Sequence, residues 1–160
     1  MITERTRRAL RFFGEGHNCA QAVMMAYGDL AGLDEQQSAL VSAGFGGGMG
    51  RLRDNCGAFS AAVMLLGAME GEAGALPEKR VDVYRRVQAV HRAFVQRWGT
   101  VNCAELLGKP RGAEEPRPEA RTRGYYAGRP CAKIILSACR IIEDQLAQSE
   151  LAQKTAGKQE

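Results

Sequence analysis

The sequence predicts an all-α fold, a single compact bundle of about five to seven helices around a central apolar helix. Three observations lead there. Apolar residues recur at three- and four-residue spacing in successive segments, and no segment alternates as a half-buried strand does. Alanine and glycine are frequent while aromatics make up only 6% of the chain, which suits closely packed helices better than a sheet. One stretch, 56–69, is apolar nearly all round, and a helix with no polar face belongs in the middle of a bundle.

The elements follow in order. Residues 2–13 place Ile2, Thr6, Ala9, Leu10 and Phe13 on one face, with arginines opposite, and Gly14 and Gly16 end that helix. A second helix over 19–31 turns Ala20, Val23, Met24, Tyr27 and Leu30 inward before Gly32 stops it. Asp34 caps a short third helix to Ala43, and a run of glycines over 44–50 reads as a loop. Asp54-Asn55 restarts the chain as the apolar helix ending at Met69. After a loop over 71–76, Pro77 opens a long helix to Trp98, with Val83, Val87, Val90, Phe94 and Trp98 as its buried stripe. Asn102 caps a single turn through Leu107. The proline- and charge-rich stretch 108–128 reads as a long irregular connection, a length that is usually functional or mobile. A last helix spans 130–148 with Ile134, Ile135, Ala138, Ile141 and Ile142 inward. This divides the chain into one helical domain, 1–148, and a disordered tail, 149–160.

At 160 residues, 45% apolar and 25% charged, the chain can form one domain with a real core. Its net charge of +4 is modest, and no basic-and-aromatic recognition pattern accompanies it, so nucleic acid is not the expected partner. The longest uncharged apolar run, 56–69, is too short to cross a bilayer. Arg7-Arg8 is followed by Gly14-Glu15-Gly16-His17 rather than an apolar export segment. Five cysteines, an odd number in a chain too large to need disulfide staples, suggest a reducing, cytoplasmic location.

The cysteines carry the chemistry. All three asparagines directly precede one: Asn18-Cys19, Asn55-Cys56 and Asn102-Cys103. Asparagine favours the helix N-cap, which places the next residue in the first turn, where free N–H groups and the helix dipole favour a thiolate. Cys131 follows Pro130, a residue favoured at helix starts. No C-x-x-C pair is present, so the zinc-ribbon, thioredoxin and bacterial ferredoxin patterns are excluded, as is covalent haem attachment through C-x-x-C-H. If the four thiols meet, tertiary structure brings them together, with redox or metal-linked chemistry as the consequence. Cys139, mid-helix beside the isoleucines, reads as core packing, His91 as structural, and His17 as a turn residue two places before Cys19. The glycine loop lacks the G-x-x-x-x-G-K-[ST] pattern and a preceding strand. Its expected role is close backbone approach, with Gly46, Gly47 and Gly48 turning N–H groups toward an anion or cofactor and Arg51 and Arg53 adding positive charge near Cys56.

His17-Asn18-Cys19-Ala20-Gln21-Ala22-Val23, the run Gly44 through Arg51, Cys56-Gly57-Ala58-Phe59-Ser60-Ala61, Asn102-Cys103 through Gly108, and the helix opened by Cys131 together resemble the C-GCAxxG-C-C family of redox-active proteins. The resemblance spans about residues 5 to 146, and one position departs from it: Ala61 stands where the family signature closes on glycine. The resemblance implies redox activity at Cys19, Cys56, Cys103 and Cys131. A similar segment in the split-Soret type of cytochrome accompanies an iron–sulfur centre, which implies a cluster held by these four thiolates for electron transfer. Thiol–disulfide exchange is the alternative, with Cys56 attacking and Cys19 or Cys103 resolving. A structural zinc site is a third. No carboxylate pair, Ser-His-Asp set or HExxH points to a small-molecule enzyme. The expected partners are other redox proteins or electron donors, and the alanine- and glycine-rich helices allow a homodimer.

Overall fold

The computed structural model describes residues 2–70, 75–113 and 115–156. Helix α1 (Glu4–Gly14) opens the fold behind Thr3, whose hydroxyl accepts from the Thr6 N–H at 3.2 Å. Its buried face is Thr6, Ala9, Phe12 and Phe13. Ile2, expected on that face, precedes the cap and is exposed, and Phe12 takes the inward place. Helix α2 (Cys19–Tyr27) is almost wholly enclosed, with seven of its nine residues buried, and ends in a 3-10 turn, Gly28–Ala31. Helix α3 (Glu35–Ser42) starts at an Asp34–Gln37 capping box. After the glycine loop comes α4 (Gly57–Met69). The expected loop 71–76 falls largely on residues 71–74, outside those described.

A 3-10 turn, Pro77–Lys79, leads into α5 (Arg80–Trp98), which Gly99 ends in the left-handed region at φ 79°. Val90 and Phe94 form the fully buried part of its stripe. Next come α6 (Cys103–Leu107), α7 (Arg123–Ala127) and α8 (Cys131–Ala156). The described residues thus hold eight α-helices and no strand, against the five to seven expected. The addition is α7, inside the stretch read as irregular. Thr122 caps it, its hydroxyl accepting from the Tyr125 N–H at 3.2 Å, and the Tyr126 hydroxyl anchors it by donating to the carbonyls of Phe13 and Gly14. Helix α8 continues past residue 148, where the sequence reading ends it, because neither glycine nor proline interrupts 149–156.

Two helices form the centre. The apolar α4 packs on α2, α5 and α8, as its composition implies, while α2 touches α1, α3, α4 and α8. Leu65 and Leu66 of α4 are fully buried, each worth about 1.5–3 kcal/mol of apolar burial. Away from the glycine loop, the Tyr27 hydroxyl donates to Glu143 at 2.7 Å, tying α2 to α8. Cys139 lies in this core, fully buried, and burial pushes its thiol up to about 12. No helix among the described residues is long and apolar enough to cross a membrane.

Candidate functional site

The starts of α2, α4, α6 and α8 meet at one end of the bundle. Asn18 caps α2, its Oδ1 accepting from the N–H groups of Ala20 at 3.0 Å and Gln21 at 2.9 Å, while the Gln21 side chain closes the box on the Asn18 N–H. Asn102 caps α6 the same way, accepting from Ala104 at 2.9 Å and Glu105 at 3.2 Å. Cys19 and Cys103 therefore stand at the first helical position. Cys131 does too, since the Pro130 carbonyl accepts the first bond of α8. The pattern breaks at Asn55, which does not cap α4. It pairs with Asn102 in an antiparallel bridge, and Cys56 itself takes the N-cap position. That bridge, with Cys56 N–H donating to Val101 at 2.8 Å and Cys103 N–H to Asp54 at 2.6 Å, holds two Asn-Cys pairs side by side.

Cys19, Cys56, Cys103 and Cys131 all line one cavity of about 280 Å³. Gly46, Gly47 and Arg51 line it as well, whereas Gly48 lies behind Cys103. The glycine loop achieves this by a left-handed turn. Gly47 to Arg51 all have φ between 59° and 71°. Met49, Arg51 and Arg53 (φ 63°, 68° and 58°) adopt a region costing a non-glycine residue roughly 1–2 kcal/mol each. A Cβ at Gly48 would fall 2.6 Å from Cys103 Cβ, and one at Gly57 would fall 2.7 Å from Cys19 Sγ. These two glycines let backbone pass directly against the thiols.

The thiols are not equivalent. The Cys56 thiol, then the N–H groups of Gly47, Gly57 and Ala20, act on Cys19 against burial. Together they overcome burial and draw the Cys19 thiol down to about 6. The interaction with Cys19, then burial, holds Cys56 well above the ordinary thiol range. Burial raises Cys103, and burial followed by the Cys19 charge raises Cys131 to about 11. The shift is thus downward at Cys19 and upward at Cys56, whereas the arginine-rich sequence before Cys56 leads to the expectation of a thiolate there. The Arg53 guanidinium goes elsewhere, with Nη1 3.9 Å from Cys103 Sγ. Among the described residues, no group of three or more His, Cys, Asp or Glu side chains is arranged to hold a metal ion.

Sequence reading points to Arg51 and Arg53 but misses the rest of the cavity's charged rim. Arg51, Arg53, Arg121 and Arg129 line it, and Glu119 is the acidic residue among them. Glu119 pairs with Arg129, with Lys109 at 3.1 Å, with Arg51 at 3.7 Å and with Arg53 at 3.9 Å. The Arg129 hydrogen bond, then that of Lys109, holds its carboxyl down to about 2. Tyr125 lies beneath, with Arg121 and Arg129 each 4.5 Å from its ring centre. No local pattern in 108–128 reveals that Glu119 meets Arg51 and Arg53, which lie more than sixty residues away along the chain. His17 stacks edge-on against Phe12 and His91 against Phe59, and neither lines the cavity.

Fold and site together define an all-helical protein that gathers four thiols, one from each of four helix starts, at a single cationic cavity. Residues 17–145 match the family model described as "Putative redox-active protein (C_GCAxxG_C_C)", and the chain belongs to that family. No curated protein and no solved structure shows significant similarity to it.

Proposed function

We propose that the chain is a thiol redox protein whose working pair is Cys19 and Cys56. The observation that carries this reading is that both thiols line one cavity, with Gly57, the neighbour of Cys56, packed directly against Cys19 Sγ. Cys19 has the thiolate character of an attacking sulfur, and Cys56 retains its proton until a second step. The Cys19 thiolate attacks one sulfur of a substrate disulfide. That S–S bond breaks, a Cys19 mixed disulfide forms, and the leaving sulfur departs as a thiolate that takes up a proton. Cys56 then loses its proton to solvent and attacks Cys19 Sγ, releasing the second substrate thiolate. Two protein thiols are oxidised to one disulfide, and one substrate disulfide is reduced to two thiols. A dithiol-bearing redox partner reverses the change and serves as electron donor. Cys103 and Cys131 stand in the same cavity as a reserve pair.

The test is differential alkylation across a thiol–disulfide redox titration, with peptides mapped by mass spectrometry. Cys19 and Cys56 should lose labelling together and first. If both stay reactive at every potential while other cysteines pair, the assignment fails.

The shared cavity also supports a second reading, an iron–sulfur cluster. The donor set suits it, since four thiolates are the usual ligands and N–H donors at helix starts stabilise anionic sulfur. Cys19, Cys56, Cys103 and Cys131 would hold the group, which supplies one-electron transfer when bound. Anaerobic isolation with iron and sulfide analysis tests it, and stoichiometric amounts of both would displace the dithiol reading. A single zinc ion would require all four sulfurs about 2.3 Å from one point. Among the described residues no group of three or more His, Cys, Asp or Glu side chains is arranged that way.

A further inference from the structure

Among the described residues that line the cavity, one carboxylate, Glu119, lies among four arginines. Glu119 meets Arg51, Arg53, Lys109 and Arg129, which belong to the glycine loop, the chain after α6 and the residue before Pro130. Glu119 is 39% and Lys109 35% exposed, while Arg53 is 1%, Arg129 10% and Arg51 17% exposed, so the arginines are the built part and the carboxylate approaches from outside. Arg53 spans both features, with Nη1 3.9 Å from Cys103 Sγ and Nη2 3.9 Å from Glu119. Arg51 and Arg53 also occupy left-handed backbone where glycine would be free of strain, so these guanidinium groups are placed at a conformational cost. Planar guanidinium groups match carboxylates in geometry as well as charge.

We propose that this cationic rim is the receptor for the carboxylate of an anionic disulfide substrate, and that Glu119 occupies it as an internal competitor. The inference rests on the dithiol reading and names the substrate class for it. An incoming carboxylate displaces Glu119 from Arg51, Arg53, Lys109 and Arg129, and the substrate's S–S bond enters the cavity that Cys19 shares. The bonds made and broken are those already described: the Cys19–sulfur bond forms, the substrate S–S bond breaks, and the anionic leaving thiolate departs past the same arginines and is protonated.

The test compares three small disulfides on the reduced full-length chain: dianionic 3,3′-dithiodipropionate, neutral bis(2-hydroxyethyl) disulfide and cationic cystamine. The readout is the ratio of each rate to that of the neutral disulfide, which cancels effects common to all three. The dianion ratio should be about tenfold above unity at low salt and fall toward unity as salt screens the rim. Glu119→Gln should raise that ratio several-fold by removing the competitor, and Lys109→Gln should lower it. Equal rates for all three disulfides, or a dianion ratio unmoved by both variants, would overturn the proposal while leaving the dithiol reading intact. Calorimetric titration with 3,3′-thiodipropionate, the unreactive thioether of the same charge, separates the two ideas. If it binds the chain competitively with salt but no disulfide oxidises Cys19, the anion receptor stands and the dithiol reading falls.

Discussion

Gly57→Ala sets two effects of known sign against each other. Gly57 is the first residue of α4 and its φ is not left-handed, so helix propensity alone predicts that alanine stabilises by up to about 1 kcal/mol. The added Cβ, however, falls 2.7 Å from Cys19 Sγ, 2.7 Å from the Phe45 carbonyl oxygen and 3.2 Å from Ala20 Cβ. None of these is the loose end of a long side chain, so backbone or sulfur must move. Overpacking of this kind costs about 1–3 kcal/mol. The net expectation is a loss of about 1–2 kcal/mol, or roughly 3–6 °C in melting temperature for a chain of this size. A second effect is chemical. Cys19 accepts from the Gly57 N–H, and pushing the sulfur away removes that donor. The pH midpoint for alkylation of Cys19 should rise from about 6 by roughly one unit. Both are measured on one sample, by thermal unfolding and by iodoacetamide reactivity against pH. A variant that melts higher, with the Cys19 midpoint unchanged, would show that sulfur and backbone are not in contact there.

Other expectations follow from the same site. Cys56→Ala removes the proton donor to Cys19, so the Cys19 alkylation midpoint should climb toward the ordinary thiol value, whereas Cys103→Ala should move it far less. Asn18→Ala and Asn102→Ala should each cost about 1 kcal/mol by denaturant unfolding, while Asn55→Ala, which removes no cap, should cost measurably less. The Glu119 carboxyl is depressed to about 2, so its ion pairs contribute stability above the ordinary carboxylate range and lose it as pH falls toward that value. Side-chain NMR of Glu119 should accordingly show it still ionised at pH 4, and a midpoint near 4.5 would contradict the rim geometry.

Most of the fold was legible because helices are local objects. The four-residue spacing of Ala9 and Phe13, or of Val90 and Phe94, reflects a period that the chain carries without reference to its neighbours. Caps are equally local, which is why Asn18, Asp34 and Asn102 could be assigned from sequence. The failures share a cause. Asn55 was read as a third cap by analogy, but its backbone is claimed by a bridge to Asn102, a partner 47 residues away that no local pattern announces. Helix α7 was missed because Pro116 and Pro118 made the whole segment look irregular, although Thr122 signals its start. Arg53, near Cys56 in sequence, lies beside Cys103 and Glu119 in space, a placement that no local pattern announces.

The sequence by itself determined an all-helical chain with four cysteines at or beside helix starts, since period and capping chemistry are properties of neighbouring residues. Only the tertiary structure decided that these starts share one cavity, that Gly57 packs against the Cys19 sulfur, and that a cationic rim closes on Glu119. Each of those outcomes depends on groups far apart along the chain approaching within a few ångströms, where burial, shared protons and Coulomb attraction act on distance in space and take no account of distance in sequence.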